Sequence, residues 1–117
     1  VVADPERMGG VAVRGYHAHV YYDQDTRASA ERLREALARR FEVRLGRWHD
    51  RPIGPHPRPS YQVAFAPALF GEVVPFLALN RAGLTVLVHP ETGDDIADHG
   101  EHALWMGEVL ALDLGRL

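Results

Sequence analysis

The stretch Tyr16-His17-Ala18-His19-Val20-Tyr21-Tyr22-Asp23 limits more than any other what this chain can fold into. Aromatic and β-branched residues alternate through it, which is the pattern of a half-buried strand. Successive side chains on a strand point to opposite faces. Tyr16, Ala18, Val20 and Tyr22 are therefore expected to face a core, and His17, His19 and Tyr21 the other side. Two imidazoles two residues apart on a strand lie roughly 6–7 Å from each other. That spacing suits two ligands converging on one metal ion, and equally suits a surface strand that happens to carry two histidines.

The rest of the chain supplies a context for that strand. Val1–Gly10 reads as an irregular lead-in, with Pro5 and Gly9-Gly10 breaking any pattern. The absence of an opening Met points to a processed or trimmed start. Residues 11–117 read as a single domain, with a first strand over Val11–Tyr22. Asp23-Gln24-Asp25-Thr26 offers helix caps, after which Ala30, Leu33, Ala36 and Leu37 recur at helical spacing. Phe41, Val43 and Leu45 alternate into a second strand that ends near Trp48-His49. Asp50–Pro59 then carries Pro52, Pro55, Pro57 and Pro59, too many prolines for regular structure and enough to stiffen a loop. A third strand is predicted over Ser60–Ala66, and a helix from Pro67 to Asn80-Arg81-Ala82-Gly83, kinked or cut short at Pro75. Leu84–His89 reads as a fourth strand. Asp94-Asp95 caps a last helix running through Met106, and Val109–Leu114 alternates as a short closing strand.

The order βαββαβ followed by αβ favours an α+β domain of ferredoxin-like type. In that plait an antiparallel sheet of order 4-1-3-2 has its helices on one face. Strands one and four are then neighbours, and if Val86 and Val88 face the core, His89 joins His17 and His19 on the open face. Leu87 and Tyr21 share that mixed surface, which predicts a homodimer in which a second copy helps to cover it.

Composition narrows the chemistry. The formal net charge of −3 leaves no basic footprint for nucleic acid or an anionic membrane. No apolar run is long enough to span a bilayer, and with no signal pattern the expected compartment is cytoplasmic. The chain has no cysteine, so any metal must be held by nitrogen and oxygen ligands. Three neutral imidazoles, His17, His19 and His89, suit Fe(II), Zn(II) or another divalent first-row ion. A facial triad completed by Glu91 or Asp98 is a weaker alternative, because strand parity places neither acid. His56, central in the stiff loop, is the expected proton acceptor at the mouth of the pocket. Arg51, Arg58 or Arg81 offers bidentate pairing to a substrate carboxylate. Arg81 and Tyr21 are the expected substrate contacts. His99 and His102 read as helix-capping or packing residues, Asp95 and Asp98 as helix N-terminal charges, and His49 as a surface residue.

Several stretches together resemble the DOPA 4,5-dioxygenase family of small extradiol-type ring-cleavage enzymes and their bacterial relatives. They are Tyr16–Asp23, Gly54-Pro55-His56-Pro57, Leu79-Asn80-Arg81-Ala82-Gly83-Leu84, Leu87-Val88-His89-Pro90-Glu91-Thr92-Gly93-Asp94-Asp95 and Asp98-His99-Gly100-Glu101-His102-Ala103-Leu104-Trp105-Met106-Gly107. The resemblance implies a ferredoxin-like, usually dimeric fold and a metal-dependent dioxygenase acting with O2 on a catechol, with His17, His19, His56 and His89 as site histidines. The expected activity is Fe(II)-dependent extradiol cleavage of DOPA or a related catechol. A second reading is a cofactor-free or non-catalytic small-molecule binder of the dimeric α+β-barrel type, its histidines lining a cavity.

Overall fold

The computed structural model describes residues 10–117. Apart from Gly10, the expected lead-in lies outside the described residues. Five strands and three α-helices follow one another as β1 (Tyr16–Tyr21), α1 (Arg27–Arg40), β2 (Arg44–Leu45), β3 (Ser60–Phe65), α2 (Phe70–Asn80), β4 (Thr85–Pro90), α3 (Asp95–His99) and β5 (Leu104–Met106). They form one sheet of order β2-β3-β1-β4-β5, antiparallel at every pairing. Alternation thus places β1 at the centre of the sheet, where both of its edges are hydrogen-bonded.

The even-numbered face of β1 makes the core. Ala18, Val20 and Tyr22 pack with Tyr61, Val63 and Phe65 of β3, and with Val86 and Val88 of β4. Ala30, Leu33 and Leu37 of α1 and Val73 and Leu77 of α2 close over them. Each fully buried Val or Leu contributes roughly 1.5–3 kcal/mol relative to exposure. The Tyr61 hydroxyl, buried among them, donates to the Ala30 carbonyl at 2.8 Å, so its own polar atom is paired.

Pro75 neither ends nor shortens α2. A 3-10 turn over Pro67–Leu69 leads in, and the helix continues to Asn80. Pro75 and Gly71 are both exposed, so the carbonyl that the proline deprives of its partner faces solvent. Val73 and Leu77, both buried, hold the helix down on either side.

The C-terminal segment differs from expectation. The last helix is only Asp95–His99, and Leu104–Met106 is a strand. Gly100 ends the helix, and Ile96, expected on its apolar side, is 56% exposed. Leu104, Trp105 and Met106 instead pair with Val88, Leu87 and Val86 along the edge of β4. The predicted strand over Val109–Leu114 does not form. Gly107, at φ 85°, turns the chain off the sheet, and a Cβ there would come within 3.0 Å of the Arg81 guanidinium. Val109 is exposed and only a 3-10 turn over Leu114–Arg116 follows. Among the described residues, no helix is long and apolar enough to cross a membrane.

Candidate metal centre

Register brings the histidines together. His17 lies directly opposite His89, and His19 opposite Leu87, on the face away from α1 and α2. The His19 and His89 Nε2 atoms are 3.0 Å apart. His17 completes a first group of three, with one ligand atom of each residue within 4.8 Å of the others. His56 and His99 form a second such group with His19. The His56 ring centroid stands 4.2 Å from that of His19, and the His99 centroid 4.0 Å from that of His89. Five imidazoles from two strands, a loop and a short helix thus share one patch.

Anchoring of the rings fixes which nitrogens remain free. His89 Nδ1 donates to the Pro90 carbonyl at 2.9 Å, and His99 Nδ1 to the Asp95 carbonyl at 2.8 Å. The Glu91 carboxylate accepts from His17 Nδ1 at 2.9 Å. In each of these three the second nitrogen, Nε2, keeps its lone pair, the arrangement in which an oxygen partner orients a metal-binding histidine. His56 Nδ1 lies 2.7 Å from the Tyr21 hydroxyl. Asp98, buried beneath the turn, accepts from the Thr92 amide and hydroxyl at 2.8 and 2.6 Å and secures the segment between β4 and α3.

Burial disfavours the charged form of His17, His19, His56 and His89. Desolvation pushes His19 well below the ordinary imidazole value, and pushes His56 and His89 down to about 4. His17 is also lowered by burial, against the opposing pull of Glu91. Neutral imidazole is the ligand form, so the donor set fits a divalent first-row ion.

The proline-rich loop is tied down at several points. Asp50, at its start, accepts from the Tyr22 hydroxyl at 2.6 Å and from Arg27 at 3.1 Å. The His56 amide bonds to the Ile53 carbonyl, and the Asp113 amide to that of Pro55. His56 is only 8% exposed, packed within the cluster, and it also lines a small cleft with Pro55, Pro57 and Asp113. His17 borders a larger cleft, of about 500 Å³, lined also by Arg14, Glu42, Arg44 and Glu91.

Of the two expected substrate contacts, Tyr21 adjoins the cluster and Arg81 does not. Tyr21 is buried beneath His56 and stacks on Trp105. Arg81 donates to the Leu84 carbonyl, before the end of β4 that pairs with Tyr21, at the opposite end of the sheet from His17 and His89. Arg58 pairs with Glu108. His102 is exposed, and His49 bridges to Ser60. His99 is the site residue that sequence reasoning missed. Its one signal was closeness in the chain to His89, and a helix running on to Met106 would have hidden it.

These features define an α+β chain with a largely buried imidazole cluster on the open face of its sheet. The sequence profile of the Dopa 4,5-dioxygenase family matches residues 16–116, and the chain belongs to that family. It is 40% identical over 115 residues to an uncharacterized 21.2 kDa protein of Botryotinia fuckeliana, covering 87% of this chain and 63% of that one. It is 33% identical over 114 residues to the DOPA 4,5-dioxygenase of Amanita muscaria, covering 90% of this chain and 50% of that one. The chain thus spans between half and two thirds of these curated relatives. A crystal structure from Nostoc punctiforme, described as a "putative dioxygenase", superposes with a TM-score of 0.87 at 58% identity, covering 88% of this chain and 90% of that one.

Proposed function

We propose that this protein is a metal-dependent dioxygenase that opens a catechol ring in extradiol fashion, with Fe(II) as its working ion and DOPA or a related catechol as substrate. The observation that carries this reading is the convergence of His17, His19 and His89, with one ligand nitrogen of each within 4.8 Å of the others and the Nδ1 atoms of His17 and His89 held by oxygen partners. His17, His19 and His89 would hold the ion. A bound divalent ion supplies Lewis-acid activation of the ring diol and a meeting point for it with O2. Zinc found in a purified sample does not oppose iron, since sites of this kind bind zinc more tightly than Fe(II).

His56 is the proton acceptor in this reading. With Nδ1–H donating to the Tyr21 oxygen, Nε2 is the basic nitrogen facing the ring diol. Burial lowers its basicity in the resting protein. The catecholate that forms on proton transfer stands beside the new imidazolium and raises it again. We read the sheet as a ferredoxin-like plait with β5 added beyond β4. A second copy of the chain would cover the open face, where Trp105, beside Leu87 and stacked on Tyr21, is only partly buried. Sedimentation at micromolar concentration tests that dimer, and a clean monomer would remove it.

The activity is tested by anaerobic reconstitution with Fe(II), then O2 uptake and the appearance of yellow ring-opened product across a panel of catechols. The 3.0 Å approach of His19 to His89 also suits a hydrogen-bonded imidazole pair in a metal-free binding protein. A protein that takes up no Fe(II) or Zn(II) but binds catechols would establish that second reading.

A further inference from the structure

One row of the sheet runs through both the metal centre and the cleft beside it. Arg44 of β2 pairs with Ala64 of β3, Ala64 pairs with His17 of β1, and His17 pairs with His89 of β4. Residues directly opposite in antiparallel strands share a face, so all four side chains point to the same side. Arg44 and His17 are two strands apart, roughly 10 Å between backbones. The residue between them is the smallest that keeps a Cβ, and Ala64 forms the floor of the cleft.

Two cations border that cleft. Arg14 enters just ahead of β1 and lies over Gly93, where a Cβ would stand 3.1 Å from its guanidinium. Among the described residues neither Arg14 nor Arg44 has an ion pair, whereas Arg27, Arg58 and Arg116 do. The acids of the cleft do not neutralise them. Glu91 is engaged with His17, and Glu42 lies within ion-pair distance of neither guanidinium.

We propose that Arg44, assisted by Arg14, is a carboxylate subsite that selects ring diols carrying an acidic side arm. The proposal rests on the dioxygenase reading for the diol, and on the sheet row alone for the acid. A ring seated at His17 and His89 places an arm of one to three carbons over Ala64, with its carboxylate facing the guanidinium fork of Arg44. The two arginines are open to water, so the preference they impose weakens with salt.

Three ligands of similar ring size test this on metal-free and Fe(II)-loaded protein: 3,4-dihydroxyphenylacetate, neutral 4-methylcatechol and cationic dopamine. Titration calorimetry is expected to rank them in that order, with the acid about two- to fivefold tighter than the neutral diol, the scale of one solvent-open charged pair. Arg44→Gln should collapse that ratio toward one, and in turnover the loss should appear in KM rather than kcat. Arg14→Gln should lower the ratio less. Ala64→Leu should weaken all three ligands by filling the floor, and circular dichroism checks that each variant is folded. A ratio that survives Arg44→Gln overturns the proposal, and so does a preference for dopamine, which would make Glu42 the selecting group. Phenylacetate separates the two readings. If it binds the metal-free protein through Arg44 while no catechol is turned over, the subsite stands and the dioxygenase falls. Turnover with no preference for the acid leaves the enzyme and removes the subsite.

Discussion

The two faces of β1 differ by a shift of one residue and by everything else. Ala18, Val20 and Tyr22 meet the helices and carry apolar burial; His17, His19 and Tyr21 meet imidazoles, a carboxylate and a phenol. Both faces are largely dry, yet only one is made of groups that can bind or exchange a proton. Stability is therefore expected to follow the even residues and chemistry the odd ones. A slip of one residue in register would exchange the two roles entirely.

The sharpest break between the faces is metal content. His89→Ala or His17→Ala should abolish stoichiometric Fe(II) or Zn(II) uptake, read by elemental analysis, while the far-ultraviolet dichroism stays native. Full metal content in either variant would remove that residue from the ligand set. His56→Gln comes next, with an expected 10²–10⁴-fold loss of kcat, roughly the range of a positioned general base. Metal binding should be retained there. Loss of metal would make His56 a ligand and move the second group, with His19 and His99, to the fore.

On the other face, Leu37→Ala should cost about 2–5 kcal/mol in chemical denaturation, as cavity-forming truncations do. Its metal stoichiometry should be unchanged, and a loss of metal would show that the faces are not separable. The last effect is one of pH. His19, His56 and His89 are held below the ordinary imidazole value, so the unfolded chain takes up protons first as pH falls. Stability of the metal-free protein is therefore complete above about pH 6.5 and declines toward pH 4, by linkage. Leu37→Ala should decline in parallel with the wild type. His89→Ala, lacking one of the depressed groups, should decline less steeply, and an identical slope would remove His89 from the linkage.

Period-two alternation made the inner strands legible. It placed His17 and His19 on one face, and β4 beside β1 then brought in His89. Periodicity failed where a short apolar run suits either helix or strand. Ile96, Ala103 and Met106 have helical spacing, but pairing along β4 outweighs it once Gly100 stops the helix. His99 was lost with that misreading. Arg44 was hidden differently, since a two-residue strand at the sheet edge carries too little pattern to report its register.

The bonds from Tyr22 and Arg27 to Asp50, and from Asp113 to Pro55, bear on the timing of catalysis. Immobilising a flexible backbone costs about 1–2 kcal/mol per residue. A free loop from Asp50 to Pro59 would meet that cost whenever a ligand arrived, and its capture would show a lag or a weakened affinity. In this chain the ordering belongs to the folded state, so in the proposed reaction His56 would wait in place between turnovers. An arriving ring would then have only its own freedom to lose.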